Sequence, residues 1–409
     1  MDLSSNRQRR SQAQEIHIPT ELVTEILKRL PAKTLMRFKC VSKLWESLIR
    51  SKYFSNQFLT VSSQKCLYMC LSDINEDDPK SVILSLVPNA TNPSTFVVDH
   101  DVTIPWLGSY NLHNLCGFMW SSDSKIPRIY NPATRQLVTL PATSPCSQGY
   151  NTFYYFGHDP VNDQYKLICL NSSYTYIRIY RKPEGNIRYC LIGGGPPPST
   201  LKRGRRILKR WVLVLKPGAS WKEMDPTYNH MPISRPGLSI NGRIYYMANY
   251  VVVSFNIRSE KFKTISAPSV HGGLKNKKVS LIEYGGRLAL FDHTHLKHKG
   301  KVALWVLENT RKEKWSKKTL VLQPSHLNLV DKTNFEVKGT TQSGKVLLIP
   351  SDLRSPFYIL CYDLQNNDMT KIDINGLPDH WFDKKAAKRC FSLMFMDQSE
   401  SILYLGDLN

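Results

Sequence analysis

The chain has 409 residues, of which 41% are hydrophobic, and a formal net charge of +22 at pH 7. No stretch approaches the roughly 18 uninterrupted apolar residues of a membrane-spanning helix, and the basic N-terminus MDLSSNRQRRSQAQE lacks the apolar run of a secretory signal. These features exclude a helical membrane protein, and they predict a disordered basic leader over residues 1–14 and action in the cytoplasm, the nucleus or both. The nine cysteines form no Cys-x-x-Cys pair, which indicates free thiols in a reducing compartment.

Residues 15–60 carry the pattern of a small helical module. Pro19 and Pro31 bracket a first helix, because proline is tolerated at a helix start and cannot continue the hydrogen-bond ladder. The apolar residues between them form two overlapping stripes, more surface than one packing partner can cover. The stripes are Leu22, Ile26 and Leu30, and Val23, Leu27 and Leu30. Residues 32–38 and 41–49 predict two further short helices.

A module of about 40 residues is too small for an independent core. Its one cysteine, Cys40, offers no disulfide. The helices therefore either complete their core on another protein or pack in cis on the rest of this chain, and the pattern alone leaves both interpretations open. Docking on a partner is energetically sufficient, since each large side chain that becomes fully buried contributes roughly 1.5–3 kcal/mol.

The module contains, in order, Ile18-Pro19, Leu22, Glu25-Ile26-Leu27, Leu30-Pro31-Ala32-Lys33, Leu35, Phe38 and Cys40-Val41-Ser42-Lys43-Leu44-Trp45. This series resembles the F-box, the motif by which substrate receptors attach to the Skp-type adaptor of SCF (Skp–cullin–F-box) ubiquitin ligases. The resemblance implies adaptor contact at a defined set of positions, with Trp45 partly structural. The set is Ile18, Pro19, Leu22, Ile26, Leu27, Leu30, Pro31, Val41 and Trp45.

From residue 61 to 409 the pattern changes to short strands rich in Val, Ile, Tyr and Phe between polar turns, which is typical of an all-β domain. A unit of strand, polar turn and strand recurs, mostly at about 40–55 residues, the spacing of propeller blades. The copies are 128–141, 211–225, 252–268, 303–322 and 358–374.

These copies predict an α+β multidomain protein with a three-helix module before a six-bladed β-propeller-like domain. Strands within 66–98, completed by CFSLMFMD and ILYLGDL, would supply the sixth blade. An open β-sandwich is the alternative. A short helix is expected over HWFDKKAAKR near the C-terminus.

The segments NPATRQLVTLP, YYFGHDPVNDQYKLICL, PGLSINGRIYYMA, SFNIRSEKF and LWVLENTRKEKWSK cover most of 100–380. They resemble the F-box-associated interaction domain of plant F-box proteins, a family that is kelch-like in its hairpins. The turn 159–163 is expected to join two strands without a binding role, with Tyr165 and Leu167 facing inward.

A basic Gly/Pro-rich segment at about 193–210 interrupts the pattern and is predicted to be an inserted loop. Such a cluster is consistent with a nuclear localisation signal, a phosphate-binding patch or a solvated loop with incidental charge. Its cations are Lys202, Arg203, Arg205, Arg206, Lys209 and Arg210.

Candidate catalytic and metal-ligating residues are scarce. His293, His295 and His298 are crowded by lysines, which indicates a hairpin tip in water rather than a metal site. The chain has no phosphate-cradling glycine loop, Gly-x-Ser-x-Gly or His-Glu-x-x-His motif, so we expect no enzymatic activity, no metal and no cofactor.

The sequence thus predicts a substrate-recognition subunit of an SCF-type E3 ligase. Its F-box would bind a Skp-type adaptor, and through it a cullin-RING ligase, while its β domain binds an unidentified target protein. The alternative is a basic nucleic-acid-associated or scaffold β-propeller protein with helices packed in cis. Nucleic acid is the weaker expectation, because the lysine-rich stretches lack interleaved aromatic residues, and no membrane partner is expected.

Overall fold

The computed structural model describes most of the chain. The described residues are 18–61, 67–73, 80–105, 107, 112–121, 127–141, 151–181, 187–193, 202–225, 230, 232–233, 237–341, 343–382, 390–392 and 401–403. The predicted leader, 1–14, lies outside them. No helix within these ranges is long and apolar enough to cross a membrane.

Four short helices fold residues 20–61 into a helical module, one helix more than predicted. Pro19 and Pro31 stand at the N-caps of the first two helices, where a missing N–H costs nothing. Ser42 caps the third, since its Oγ accepts the Trp45 N–H at 3.2 Å. The helices are α1 (Thr20–Leu27), α2 (Ala32–Phe38), α3 (Lys43–Arg50) and α4 (Lys52–Val61).

The first half of the β domain contains three sheets. The third sheet has a fifth strand, β10, which pairs with the distal half of β9. The strands are β1 (Leu67–Asp73), β2 (Lys80–Pro88) and β3 (Thr95–Pro105); β4 (Leu112–Leu115), β5 (Phe118–Ser121), β6 (Arg128–Asn131) and β7 (Gln136–Thr139); and β8 (Asn151–Asp159), β9 (Gln164–Arg181), β10 (Ile187–Gly193), β11 (Lys202–Val214) and β12 (Lys222–Glu223).

The second half adds three four-stranded units and two short helices that the sequence analysis missed. At the start of the expected C-terminal helix, Asp379–Phe382 form a 3-10 turn, and residues 383–389 lie outside the described part of the chain. The elements are β13 (Leu238–Ile240), β14 (Arg243–Met247), β15 (Val251–Asn256) and β16 (Lys261–Ser266); β17 (Val279–Tyr284), β18 (Arg287–Asp292), α5 (Leu296–Lys299), β19 (Lys301–Asn309) and β20 (Lys314–Val321); α6 (Pro324–Val330), β21 (Phe335–Thr340), β22 (Val346–Pro350), β23 (Phe357–Asp363) and β24 (Asp368–Asn375); and β25 (Cys390–Ser392).

The ring closes through the two ends of the β domain. Strand β25 pairs antiparallel with β1, Phe391 opposite Leu71, so the first sheet also has four strands. Strand β24 pairs in parallel with β3, Asp373 opposite Thr95. Residues 390–392 of CFSLMFMD therefore complete the first blade as predicted. Of ILYLGDL, Ile402 and Leu403 lie outside every strand, and residues 404–408 are not among the described residues.

Six apolar clusters join the six blades in a circle, since each cluster draws side chains from two neighbouring blades and the last returns to the first. This arrangement confirms a six-bladed propeller over the described residues and excludes an open sandwich. One pair per junction is Ile83 and Met119, Trp120 and Phe156, Tyr155 and Tyr246, Val252 and Leu290, Leu304 and Leu348, and Ile359 and Leu84.

Four of the five recurring polar turns share one geometry, and the turn in 211–225 instead passes through Gly218. Each of the four begins with Asn or Asp, whose side-chain oxygen accepts backbone N–H groups two or three residues later. Asn309 Oδ1, for example, accepts from Arg311 and Lys312 at 2.8 and 2.9 Å. The fifth residue of the turn has a positive φ, as at Glu313 (51°). This local chemistry explains why the repeat is visible in the sequence.

The predicted loop at 193–210 is wrong for residues 202–210. They form the first part of β11, which pairs with β9 through Arg203 opposite Tyr176 and Arg210 opposite Leu170. The Gly/Pro-rich residues 194–201 lie outside the described part of the chain. Residues 202–210 therefore extend the third blade as part of a strand.

Candidate functional site

The helical module carries most of the exposed large apolar side chains found in the described residues. Ten such side chains occur, and six belong to residues 18–53. Five of these are 50–59% exposed, which is unusual for large apolar side chains of a small module that also has a filled core. The six are Ile18, Leu22, Ile26, Val41, Leu44 and Tyr53.

Helix α1 separates its two predicted stripes onto opposite sides. Leu22 and Ile26 lie one turn apart and point to solvent, whereas Thr24 and Leu27 are buried. Leu27, one of the predicted adaptor contacts, has no exposed side-chain surface in this structure, and its contact with an adaptor stays a prediction. Leu27 belongs to the core of the module.

The other predicted contact residues divide by exposure. Pro19, Pro31 and Val41 are exposed, while Leu30 and Trp45 are partly buried against the module core. The Trp45 ring packs edge-on to Phe38 with centroids 5.5 Å apart, as its partly structural role requires. Leu44 and Tyr53 are exposed apolar residues that the predicted set omitted; their positions on short apolar-rich helices were the available signal.

The buried side of the module is completed in cis by Ile402. This side chain is fully buried among residues of all four helices, including Leu27, Leu35, Ile49 and Phe54. Residues 401–403 are held by a second contact, because the buried Asn131 amide donates to the carbonyls of Ser401 at 2.9 Å and Leu403 at 3.1 Å. Leu403 packs in the core between the second and third blades. The short segment 401–403 thus bridges module and propeller.

A polar contact from the turn between β8 and β9 also holds the module. The Asn56 amide donates to Asp163 Oδ2 at 2.8 Å, and Lys52 Nζ lies 3.0 Å from the same oxygen. His158 Nε2 lies 2.8 Å from Asp163 Oδ1. Burial raises the pKa of the Asp163 carboxyl, but the contacts to Asn56, His158 and Lys52 outweigh burial and hold that pKa below its usual range. This turn was expected to have no binding role; it binds the module within the chain.

These contacts place the module on one face of the ring. Antiparallel strands put the turns between first and second strands, and between third and fourth strands, at the same face. Asp163 ends a turn of the first kind and Asn131 begins one of the second kind. We call this the lower face. The connections between second and third strands, and between blades, lie at the opposite, upper face.

Of the predicted basic patch, the structure describes the side chains of Lys209 and Arg210 only. Arg210 is 1% exposed, and its guanidinium lies 4.8 Å from the ring centre of Phe262 in the next blade. Lys209 is exposed. Lys202, Arg203, Arg205 and Arg206 are placed on the backbone of β11, and their side chains lie outside the description.

The three clustered histidines do not share a water-exposed hairpin tip. His293 is buried, and its Nε2 lies 3.2 Å from the Phe335 carbonyl oxygen, so the expectation is wrong for this residue. His295 and His298 are exposed around α5. Among the described residues, no group of three or more His, Cys, Asp or Glu side chains could hold a metal ion.

Comparison with known families gives the same two-part organisation. Residues 16–57 match the F-box domain, and residues 66–399 match the F-box associated beta propeller domain. The chain belongs to the F-box proteins with an F-box-associated β-propeller domain. The helical module is its F-box, and the two apolar sides described above are the outer and inner sides of that F-box.

Similar proteins in Arabidopsis thaliana extend over nearly the whole chain. An F-box/LRR-repeat protein is 44% identical over 94% of this chain and 86% of the relative. An F-box protein is 41% identical over 96% and 94%, and an F-box/kelch-repeat protein is 35% identical over 95% and 90%. Among solved structures, the WD40 domain of SCAP from fission yeast matches 78% of this chain and 90% of that chain at 9% identity, with a TM-score of 0.29.

Proposed function

We propose that this protein is the substrate-recognition subunit of an SCF-type E3 ubiquitin ligase, acting in the cytoplasm, the nucleus or both. Its F-box binds a Skp-type adaptor, and its propeller binds a target protein. The chain itself is non-catalytic. It brings the target to a cullin-RING ligase assembled on the adaptor, which raises the effective concentration of the acceptor lysine.

The observation that carries this proposal is the exposed outer side of the F-box. Leu22 and Ile26 remain 55% and 56% exposed although the inner side of the same helix is fully packed in cis. Packing in cis and docking on a partner are therefore compatible, because they use different sides of α1. Exposed apolar side chains next to a completed core are what an interface anchor requires.

The test uses the full chain and a purified Skp-type adaptor. Leu22→Asp and Ile26→Asp should each weaken the complex by about thirtyfold or more, the effect of losing an anchor worth at least about 2 kcal/mol. Val321→Asp is the matched control, because Val321 is 50% exposed on β20 in the propeller. Gel filtration and calorimetry measure the complex, and the thermal unfolding of each variant checks that it is folded.

Retained adaptor binding in both F-box variants, or no binding by the unchanged chain, contradicts the proposal. A salt titration distinguishes the alternative function. Apolar docking should change little with salt, whereas binding of a nucleic acid through phosphate contacts should weaken steeply and linearly on a log–log scale.

A further inference from the structure

Three strands of the third blade continue beyond its four-stranded part. The pairing of β8 with β9 stops at Ser172, whereas β9 continues to Arg181 with β10 on one side and β11 on the other. This extension leaves the blade at the upper face, because β9 starts from the lower-face turn that contains Asp163. We call it the ribbon; it comprises residues 173–181 of β9, all of β10 and residues 202–207 of β11.

The register places the residues of the ribbon on two faces, because successive residues of a strand alternate and directly paired residues share a face. Tyr176 pairs with Ile192 on one side and with Arg203 on the other. The face that contains Tyr176, which we call the Tyr/Arg face, combines tyrosines and arginines from three strands. Its residues are Tyr174, Tyr176, Arg178 and Tyr180 of β9, Arg188, Cys190 and Ile192 of β10, and Arg203 and Arg206 of β11.

The opposite face of the ribbon has a different composition. It is mainly apolar, and its cations are Arg181 and Lys202. Arg205 falls in the irregularity between Arg203 and Arg206 and has no assigned face. A slip of the register by one residue would exchange the faces, so the separation of tyrosine and arginine from the aliphatic residues follows from this pairing. The apolar residues are Ile177, Ile179, Ile187, Tyr189, Leu191 and Ile207.

This part of the chain is strongly positive. Residues 171–210 contain ten Lys and Arg residues and one carboxylate, Glu184, which lies outside the described residues. Glu223 of β12 pairs opposite Trp211 and so lies on the side of the sheet that carries the aliphatic residues. The described strands of the third blade therefore place no carboxylate on the Tyr/Arg face of the ribbon, and this face favours a polyanion.

Side chains at the base of the ribbon connect the Tyr/Arg face with the fourth blade. Leu208 and Arg210 lie on the same side of β11 as this face, and both are buried at the junction with that blade. Ala248 belongs to the same apolar cluster as Leu208 and begins the tight upper-face turn between β14 and β15. In that turn Tyr250 is 79% exposed, and Lys275 Nζ lies 5.8 Å from its ring centre. The neighbouring blade thus adds an exposed aromatic ring with a cation beside it.

We propose that the Tyr/Arg face of the ribbon binds single-stranded RNA. Arginine donates paired hydrogen bonds to phosphate oxygens, and aromatic rings stack on bases of any sequence. The interleaving of aromatic and cationic residues that the lysine-rich stretches lack is present here across three strands. Residues two apart on one face of a strand, such as Tyr174 and Tyr176, lie about 6.6 Å apart, close to the length of one extended nucleotide.

Other polyanions use less of this face. An acidic protein segment pairs with the arginines but has no bases to stack on the tyrosines, and a double helix offers phosphates while its bases are already stacked. RNA is the single-stranded nucleic acid that the cytoplasm and the nucleus mainly contain. This activity is additional to adaptor binding and does not depend on it, since the ribbon and the F-box lie at opposite faces of the propeller.

The test uses the full chain and a fluorescein-labelled, unstructured RNA of about 12 nucleotides, measured by anisotropy over a range of salt concentrations. Arg203→Gln/Arg206→Gln removes two cations from the Tyr/Arg face. It should lower the slope of log Kd against log salt by about 1.4, the effect of two phosphate contacts with a single strand. Lys202→Gln/Lys209→Gln is the matched control, because it removes two cations from the opposite face of the same strand and should leave the slope nearly unchanged.

A second pair of variants tests the aromatic contribution. Tyr176→Ala should weaken RNA binding about fivefold or more, the loss of one stacked base. Tyr176→Phe keeps the ring and should bind RNA as the unchanged chain does, which separates stacking from any effect of the hydroxyl group. Thermal unfolding of each variant checks that the fold is retained.

An equal loss of slope in the two double variants, or unchanged affinity in Tyr176→Ala, overturns the assignment of the Tyr/Arg face. The comparison probes are a DNA of the same sequence, a polyglutamate peptide and phosphatidylserine vesicles, and equal or tighter binding of any of them overturns the choice of RNA. Adaptor binding is measured on the same samples. The Arg203→Gln/Arg206→Gln variant should bind the adaptor as the unchanged chain does, so failure of the proposed function and failure of RNA binding are distinguishable.

Discussion

Replacing Ile402 with alanine should destabilise the F-box helices without destabilising the fourth and fifth blades of the propeller. Ile402 is fully buried among Leu27, Leu35, Ile49 and Phe54. Removing a buried aliphatic side chain to Cβ costs roughly 2–5 kcal/mol, depending on how far the cavity collapses. The cost should be near the upper end, because a four-helix module of this size has few other apolar contacts to share the loss.

The assay is amide hydrogen exchange of the full chain, resolved by peptide. A loss of about 2–5 kcal/mol in local opening free energy accelerates exchange in α1–α4 by roughly 30- to 5,000-fold. Peptides from the fourth and fifth blades should exchange at unchanged rates. Those blades lie far from residue 402, so their exchange rates are the reference for the rates in the F-box helices.

Leu403→Ala is the matched control, because it removes the same number of carbon atoms one residue later. Leu403 packs in the core between the second and third blades, so its loss should accelerate exchange in β5, β6 and β9 before the helices. Unchanged exchange in α1–α4 of the Ile402 variant, or identical profiles for both variants, would refute the division of residues 401–403 between two cores.

Two further variants test contacts between parts of the molecule: the contact of the F-box with the propeller, and the packing at Gly157 in the third blade. Asp163→Asn should weaken the contact between the F-box and the propeller by about 1–2 kcal/mol. The variant loses the ion pair to the half-exposed Lys52 and weakens the hydrogen bond from Asn56. The pKa of Asp163 is lower in the folded chain than in the unfolded chain, where it is about 3.9. The stabilising free energy from Asp163 is therefore present above about pH 3.9 and lost as the pH falls below that value. The unchanged chain and the Asp163→Asn variant should then become equally stable in acid, which amide exchange in α4 measures. Gly157→Ala should lower the melting temperature through a cost of about 1–3 kcal/mol, because the added Cβ would lie 2.5 Å from Ile257 Cδ1, and an unchanged melting temperature would refute that packing.

The sequence was most informative where local chemistry repeats. Four of the five repeated third–fourth hairpins carry an Asx turn and a positive-φ residue, as in Asn309 and Glu313, so these hairpins could be found without knowing what they pack against. Ring closure was only partly predictable. Strand β25 has three residues and pairs with β1, more than 300 residues earlier in sequence, a contact that no local pattern specifies.

The F-box residues show a second limit of sequence reasoning. Leu22 and Leu27 both lie on apolar stripes, and only the packing of the other helices and Ile402 around Leu27 shows that Leu27 is internal while Leu22 stays exposed. The polar contacts between the F-box and the propeller could not be predicted from the sequence either. Asp163 looks like an ordinary turn residue, and its contact with α4 becomes apparent only when the third blade is placed beside the helices. The prediction of a basic surface patch had a related limit, because the sequence does not show that Arg210 is buried between two blades, where it packs on the ring of Phe262.

The fixed position of the F-box has a consequence for how the protein works. Two connections hold it to the lower face: the segment 401–403, which joins Ile402 in the module core to Asn131 in the propeller, and Asp163. They use an apolar core with buried amide hydrogen bonds in one case and an ion pair in the other, so opening one of them leaves the other in place. A target held at the upper face would then keep a nearly constant position relative to the adaptor. Since effective concentration depends on how rigidly two sites are connected, this rigidity favours modification of acceptor lysines within a defined zone around the bound target.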